Sequence, residues 1–75
     1  MPKTPDLQMR LRKLQNSRAF VEAAMQSLAS AKATVSSDPI ADRITDSLDN
    51  SWKLANQALR ELNKAIEGLE QRLAA

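Results

Sequence analysis

Four aspartates at helical spacing are the residues of this chain that come closest to a reactive site. They are Asp38, Asp42, Asp46 and Asp49, whose intervals of four, four and three residues place them on one face of a helix. Carboxylates grouped in this way could hold calcium or a pair of metal ions. Di-metal sites in helical bundles, however, combine Glu with a Glu-x-x-His motif, and calcium loops need glycine and backbone carbonyls that a regular helix withholds. The pattern therefore favours a solvated acidic first turn that suits the helix dipole.

The other residue types that catalysis requires are scarce. The chain contains no histidine, cysteine or tyrosine, and it has one glycine. A serine or cysteine nucleophile needs a neighbouring base, usually His, and phosphate-binding loops need several glycines. Zinc and haem sites also draw on His and Cys. We therefore predict that the protein is not an enzyme, binds no cofactor or metal, and has no disulfide to support its fold.

A basic strip near the N-terminus is a better candidate for binding. It contains Arg10, Lys13, Ser17 and Phe20, so that two cations and the only phenylalanine share one side of a helix. Cations interleaved with an aromatic residue are typical of nucleic-acid binding, which makes RNA or a nucleotide a candidate ligand of Arg10, Arg12, Lys13 and Arg18. The net charge of +2 is small for that role. The alternative is a solvated basic face beside a phenylalanine that packs on a partner.

Two helix-start signals divide the chain into the elements that would position these residues. Thr4-Pro5-Asp6 offers an N-cap, a proline at the first helical position and a carboxylate on the helix dipole. Ser36-Ser37-Asp38-Pro39 repeats the signal, and the residue before a proline is disfavoured in a helix. We predict one domain over residues 1–75, with helix one over about 5–35, a turn at 36–38 and helix two over about 39–74. Asp49-Asn50-Ser51 could break helix two and give three helices instead.

Heptad spacing of apolar residues predicts that the two helices form an antiparallel hairpin. One row of helix one repeats every seven residues and consists of Leu7, Leu14, Val21, Leu28 and Val35. The companion row alternates Leu11 and Met25 with the cations Arg18 and Lys32, which either specify register or turn outward. Helix two is cleaner, with one row of Leu48, Ala55, Leu62 and Leu69 and another of Trp52, Leu59, Ile66 and Leu73. The predicted fold class is all-α.

Small residues widen both apolar stripes beyond what a single hairpin covers. They are Ser17, Ala24 and Ala31 in helix one and Ser51, Ala58 and Ala65 in helix two. A chain of 75 residues also buries little surface alone, and usually needs a disulfide, a metal or a second subunit. We therefore predict a homodimer in the form of a four-helix bundle, or a higher oligomer. The alternative is a helical partner protein that occupies the same groove. The predicted oligomer core consists of Leu14, Val21, Leu28, Leu48, Leu59, Leu62, Ile66 and Leu69.

Charge along the hairpin predicts the direction of the second copy. Residues 1–18 hold five cations and one carboxylate, whereas residues 38–50 hold four carboxylates and one cation. The open end and the turn end of the hairpin therefore carry opposite charge. Turns at opposite ends of the dimer would bring each basic end to the partner's acidic turn, so we expect that arrangement.

Trp52, the only tryptophan, lies on an apolar row of helix two. It is either a core residue or the anchor of a protein interface.

Because the chain lacks catalytic residues, we predict a small binding protein that self-associates and covers a surface of a larger partner protein, as an inhibitor, adaptor or chaperone-like regulator. Its candidate partner-binding residues are Arg10, Lys13, Arg18, Phe20 and Trp52. The alternative is an RNA- or nucleotide-binding dimer that uses the basic face of helix one. The predicted hairpin is similar, in topology alone, to the plasmid Rop-type hairpin, whose dimer reads RNA loops.

The hydropathy of the chain bears on its location. No apolar run approaches the roughly 20 residues that cross a bilayer. The first six residues also lack the apolar stretch of a secretory signal. We therefore expect a cytoplasmic protein with no membrane partner.

Overall fold

The computed structural model consists of two long antiparallel helices joined by a short turn. It describes residues 4–75, with side chains from residue 6 onward. Helix α1 spans Thr4–Val35, helix α2 spans Ala41–Ala74, and the two pack against each other. The hairpin is 61 Å long and 14 Å in each of the other two directions. The prediction of an all-helical, two-helix hairpin is confirmed.

The start of α1 falls at the edge of the described part of the chain. The helix includes Thr4 and so begins one residue before the predicted start. The predicted cap by the Thr4 hydroxyl and the ring of Pro5 lie outside the side chains that the structure describes. Asp6 is exposed in the first turn and Lys32 lies in the last, so each charge suits the nearer end of the helix dipole.

Asp38 organises the turn, but α2 begins later than the sequence suggests. The carboxylate Oδ1 of Asp38 accepts a hydrogen bond from the backbone N–H of Ile40 at 2.9 Å. The backbone carbonyl of Asp38 accepts one from the N–H of Ala41 at 3.0 Å. The aspartate thus closes a turn over Pro39 and Ile40 instead of capping a helix that opens at Pro39. For this reason α2 begins at Ala41 and not at residue 39, with Ile40 as an N-cap that makes no side-chain capping bond.

Helix α2 is continuous through Asp49-Asn50-Ser51, so the three-helix alternative does not occur. Asp49 contacts α1 through an ion pair, in which its Oδ1 lies 2.8 Å from Nζ of Lys32. Because both side chains remain nearly half exposed, this pair contributes at most about 1 kcal/mol. The apolar rows that continue on both sides of these residues outweigh their weak helix propensity.

Two polar contacts show the register of the hairpin. Nη1 of Arg18 donates a hydrogen bond to Oδ1 of Asn63 at 3.2 Å, and Lys32 pairs with Asp49. The two contacts are fourteen residues apart in both helices, so the same alignment holds over two heptads. The two cations of the helix-one seam therefore lie at the seam edge and bind polar residues of α2.

The interior of the hairpin is small. Among the described residues, Ala41, Ile66 and Leu69 are the buried apolar ones, and Ile66 is only 2% exposed. Ile66 and Leu69 of the predicted oligomer core are thus enclosed within one chain. The other predicted core residues are half-buried and have surface left to cover: Leu14, Val21, Leu28, Leu48, Leu59 and Leu62.

Candidate interaction surfaces

The heptad rows give the hairpin two long faces. One face carries both cross-helix polar contacts and the indole of Trp52, and we call it the Trp52 face. It consists of Gln15, Arg18, Glu22, Met25, Ala29 and Lys32 of α1 with Asp49, Trp52, Asn56, Leu59 and Asn63 of α2. The heptad rows that flank the seam on its other side form a second face. This face points away from the Trp52 face, because the rows of a helix are distributed around its axis.

That opposite face carries no charge over most of its length, and we call it the uncharged face. It consists of Ser17, Phe20, Val21, Ala24, Ser27, Leu28, Ala31, Thr34 and Val35 on one side, and of Ile40, Ala41, Ile44, Ser47, Leu48, Ser51, Leu54, Ala55 and Ala58 on the other. Six of these eighteen positions lie in the seam between the helices, and at the chain average of 27% about three charged residues would be expected among the other twelve. Helix faces that stay in water normally collect the charged residues. The uncharged face therefore differs in composition from a helix face that stays in water.

Residue size varies across the uncharged face. Phe20 and Leu54 lie along its outer edges and are 75% and 67% exposed. Ala24, Ala31 and Ala58 lie between them, on the rows that point most directly away from the hairpin. Small residues in the centre allow another helix to approach closely, while the large residues at the edges add apolar area.

A groove with an arginine on each side extends the uncharged face to the open end of the hairpin. It is lined by Arg10 and Leu14 of α1 and by Ala65, Gly68, Leu69 and Arg72 of α2. There is open space where a Cβ on Gly68 would lie, so the floor between the two arginines is uncrowded. An apolar floor between two guanidinium groups suits a segment that carries a carboxylate.

Trp52 lies between two shallow grooves on the Trp52 face and is 40% exposed. The groove nearer the turn is lined by Ala29, Lys32 and Asp49 of this face and by Leu28 and Leu48, which lie in the seam between the helices and border both faces. The groove nearer the open end is lined by Glu22, Met25, Gln26, Ala29 and Leu59. An aromatic side chain with apolar neighbours and a polar rim has the composition of a protein-interface anchor.

The five predicted partner-binding residues lie on two opposite faces. Arg10, Lys13 and Phe20 follow the strip of α1 that borders the uncharged face and its basic groove. Arg18 and Trp52 lie on the Trp52 face, where Arg18 binds Asn63. The structure therefore does not bring these five residues together, and it separates Arg18 from Arg10 and Lys13 of the basic strip.

Sequence reasoning misses Leu54, Ile44 and Arg72. The sequence feature that could have identified Leu54 is its heptad row in α2. Ser47 and Leu54 of this row are uncharged, and the first charged residue is Glu61. That row becomes informative only once it is known to share a face with the small residues of α1. Ile44, 41% exposed, lies on the neighbouring row of the same face.

The four aspartates of the acidic segment do not converge. Asp38 binds the backbone of Ile40, and Asp49 pairs with Lys32. Within the part of the chain that the structure describes, no group of three carboxylates is placed to hold a metal ion.

Comparison with known proteins provides no relative for this chain. No family model, curated protein or solved structure matches it. Neither of the two described helices combines the length and the hydropathy that crossing a bilayer requires.

Proposed function

We propose that this protein is a non-catalytic helical binding protein that dimerises into a four-helix bundle through its uncharged face and binds a larger protein through its Trp52 face. The role would be that of an inhibitor, adaptor or chaperone-like regulator. The observation that carries the proposal is the run of eighteen uncharged positions along one side of a hairpin that buries very little by itself. A surface of this composition is stable in water when a partner covers it.

The surface area of the chain supports self-association. Its accessible surface is 5940 Å², whereas a compact monomer of 8.3 kDa exposes about 4,600 Å². A stable interface removes about 800 Å² from each partner. The excess of roughly 1,300 Å² is therefore sufficient for one such interface.

Sedimentation equilibrium over a wide concentration range tests the dimer. We expect a mass of twice 8.3 kDa, because a second hairpin covers the uncharged face. Fluorescence of the only tryptophan should stay unchanged as the dimer forms, since Trp52 lies on the opposite face. A folded monomer at every concentration would contradict self-association, and an emission shift on dimerisation would place the interface on the Trp52 face.

The Trp52 face suits an amphipathic helix of a larger protein. The two grooves beside Trp52 follow one another along the hairpin. One offers apolar contacts from Leu28 and Leu48, and the other from Met25 and Leu59. Glu22 and the Lys32–Asp49 pair supply a polar rim of both signs. A helix that inserts apolar residues at intervals of three and four would match both the grooves and the rim.

Trp52→Ala and Leu54→Ala form a matched pair of variants two residues apart in α2. Trp52→Ala should destabilise the chain by only about 1–2 kcal/mol, less than the loss of a fully buried tryptophan, because the side chain is 40% exposed. It should abolish capture of the larger protein from a lysate of the natural host while leaving dimerisation intact. Leu54→Ala, on the uncharged face, should weaken dimerisation and keep capture.

The same capture experiment separates the proposal from the RNA alternative. The alternative now depends on Arg10, Lys13 and Arg72, which lie toward one end of the uncharged face. Captured material that absorbs at about 260 nm and is released as salt rises would favour nucleic acid. Protein that stays bound in salt and is lost with Trp52→Ala would support the protein-binding role. Equal capture by both variants would contradict the assignment of the Trp52 face.

A further inference from the structure

We infer that the second copy lies antiparallel on the uncharged face, with α1 against α1, α2 against α2 and each acidic turn beside its partner's basic end. The inference rests on the proposed self-association and adds the orientation and register of the two copies. Three features carry it: the small residues in the middle of the face, the basic groove at one end and Asp38 in the turn at the other.

The alignment of the two helices within one chain gives the height of each residue along the hairpin. Arg18 is opposite Asn63 and Lys32 is opposite Asp49, so the numbers of facing residues add up to 81. By this alignment Ala24 lies at the height of Ala58, and Ala31 lies at the height of Ser51, each within one residue. These small residues form two levels, one heptad apart, in the middle of the uncharged face.

Two-fold symmetry leaves two ways to pair the faces. If the turns are at opposite ends, α1 lies over the partner's α1 and α2 over the partner's α2. Ala24 then meets the partner's Ala31, and Ser51 meets the partner's Ala58. If the turns are at the same end, α1 lies over the partner's α2, and Ala24 meets the partner's Ala58. Every meeting residue is small in both arrangements, so close packing alone does not choose between them.

The charges at the ends of the face select the antiparallel arrangement. Overlap of the small residues then puts Asp38 about one helical turn from the partner's Lys13 and about two turns from its Arg10. One turn, about 5.4 Å along the axis, is within the Debye length of about 8–10 Å, so Asp38 and the partner's Lys13 attract each other. With turns at the same end, the arginine-flanked grooves of both copies would meet and repel.

Introduced cysteines can test this arrangement, because the natural chain contains none. We expect the double variant Ala24→Cys/Ala31→Cys to form a disulfide-linked dimer on mild oxidation, whereas Ala24→Cys/Ala58→Cys should link at least tenfold more slowly. Ala24 and Ala31 are too far apart to link within one chain, and for both variants only linkage between two chains, seen as a doubled mass, is compared. Residues seven apart on a helix are about 10 Å apart along its axis, and neighbouring helix axes are about 8–10 Å apart.

The outcomes distinguish the arrangement from the self-association on which it rests. Faster linkage of Ala24→Cys/Ala58→Cys would overturn the antiparallel arrangement. A chain that sediments as a dimer but links through neither pair would place the interface on another face and would also overturn the inference. A monomeric wild-type chain would contradict the proposed function itself. Circular dichroism of the reduced variants checks that both are folded.

A second measurement needs no variant. Raising the salt from about 0.02 M to about 0.5 M NaCl should weaken the antiparallel dimer severalfold, since it screens attraction between the turn of one copy and the basic end of the other. If the dimer becomes tighter over the same range, the two basic ends must lie together, with both turns at the same end. That result would also overturn the arrangement.

Discussion

Replacing Ala24 with glutamate is expected to raise the dissociation constant of the dimer at least about a hundredfold. Ala24 is exposed in the hairpin, so the new carboxylate should cost the isolated chain little. In the proposed dimer, however, the carboxylate would lie between helices without a cation beside it. Burying such a charge costs several kcal/mol, and symmetry introduces two of them per dimer. Sedimentation equilibrium of the variant measures the change directly.

Ala23→Glu is the matched control for this variant. Ala23 is also exposed, immediately precedes Ala24 and lies on the outer side of α1, away from both defined faces. The two variants share the same substitution in the same helix, with the same effect on net charge and helix propensity. Ala23→Glu should leave the dimer mass unchanged. If both variants dissociate the dimer equally, or if neither does, the uncharged face is not the interface.

Ile66→Ala is expected to cost about 3–4 kcal/mol of stability. Ile66 is the most enclosed side chain described, at 2% exposure, and the neighbouring interior has few other buried residues that could move to fill a cavity. Small chains have little stability to lose, so a large fraction of the variant should be unfolded at ambient temperature. Urea denaturation at one fixed protein concentration gives the comparison, because dimerisation makes stability depend on concentration.

Two further variants calibrate the effect of Ile66→Ala. Ile66→Val removes one methylene and should cost only about 1 kcal/mol. Met9→Ala removes a side chain that is 58% exposed on the outer side of α1, and its cost should be below about 0.5 kcal/mol. A midpoint for Ile66→Ala that matches that of Met9→Ala would show that the contact between α1 and α2 at Ile66 does not hold the hairpin together.

The two proposals together have a consequence for binding. Pairing through the uncharged faces would leave the two Trp52 faces on opposite outer sides of the bundle. The dimer would then offer two equivalent sites to the larger protein, and avidity would appear wherever that protein is itself repeated. The difference in capture between the wild-type chain and the Ala24→Glu variant, which should be monomeric, measures the contribution of avidity.

The sequence by itself determines that the chain is two antiparallel helices. The rows that contain Leu14 and Leu62 repeat every seven residues, and Pro39 interrupts the helical pattern between them. These signals are local, because each depends on neighbouring residues and helical geometry alone. The start of α2 is less accessible from sequence, since the bond between the Asp38 carboxylate and the Ile40 N–H competes with capping at Pro39.

Tertiary structure decided which rows share a face. In the sequence, Arg10, Lys13 and Phe20 form one basic strip with an aromatic residue, and Arg18 is a further candidate ligand beside them. Trp52 is either a core residue or the anchor of a protein interface. Packing of α1 on α2 turns Arg18 toward Asn63 and leaves Arg10 and Phe20 on the other side. It also brings the uncharged rows of both helices together into one surface. The physical reason is that a heptad row specifies a direction around its own helix only, and the alignment of a second helix is needed before rows become faces.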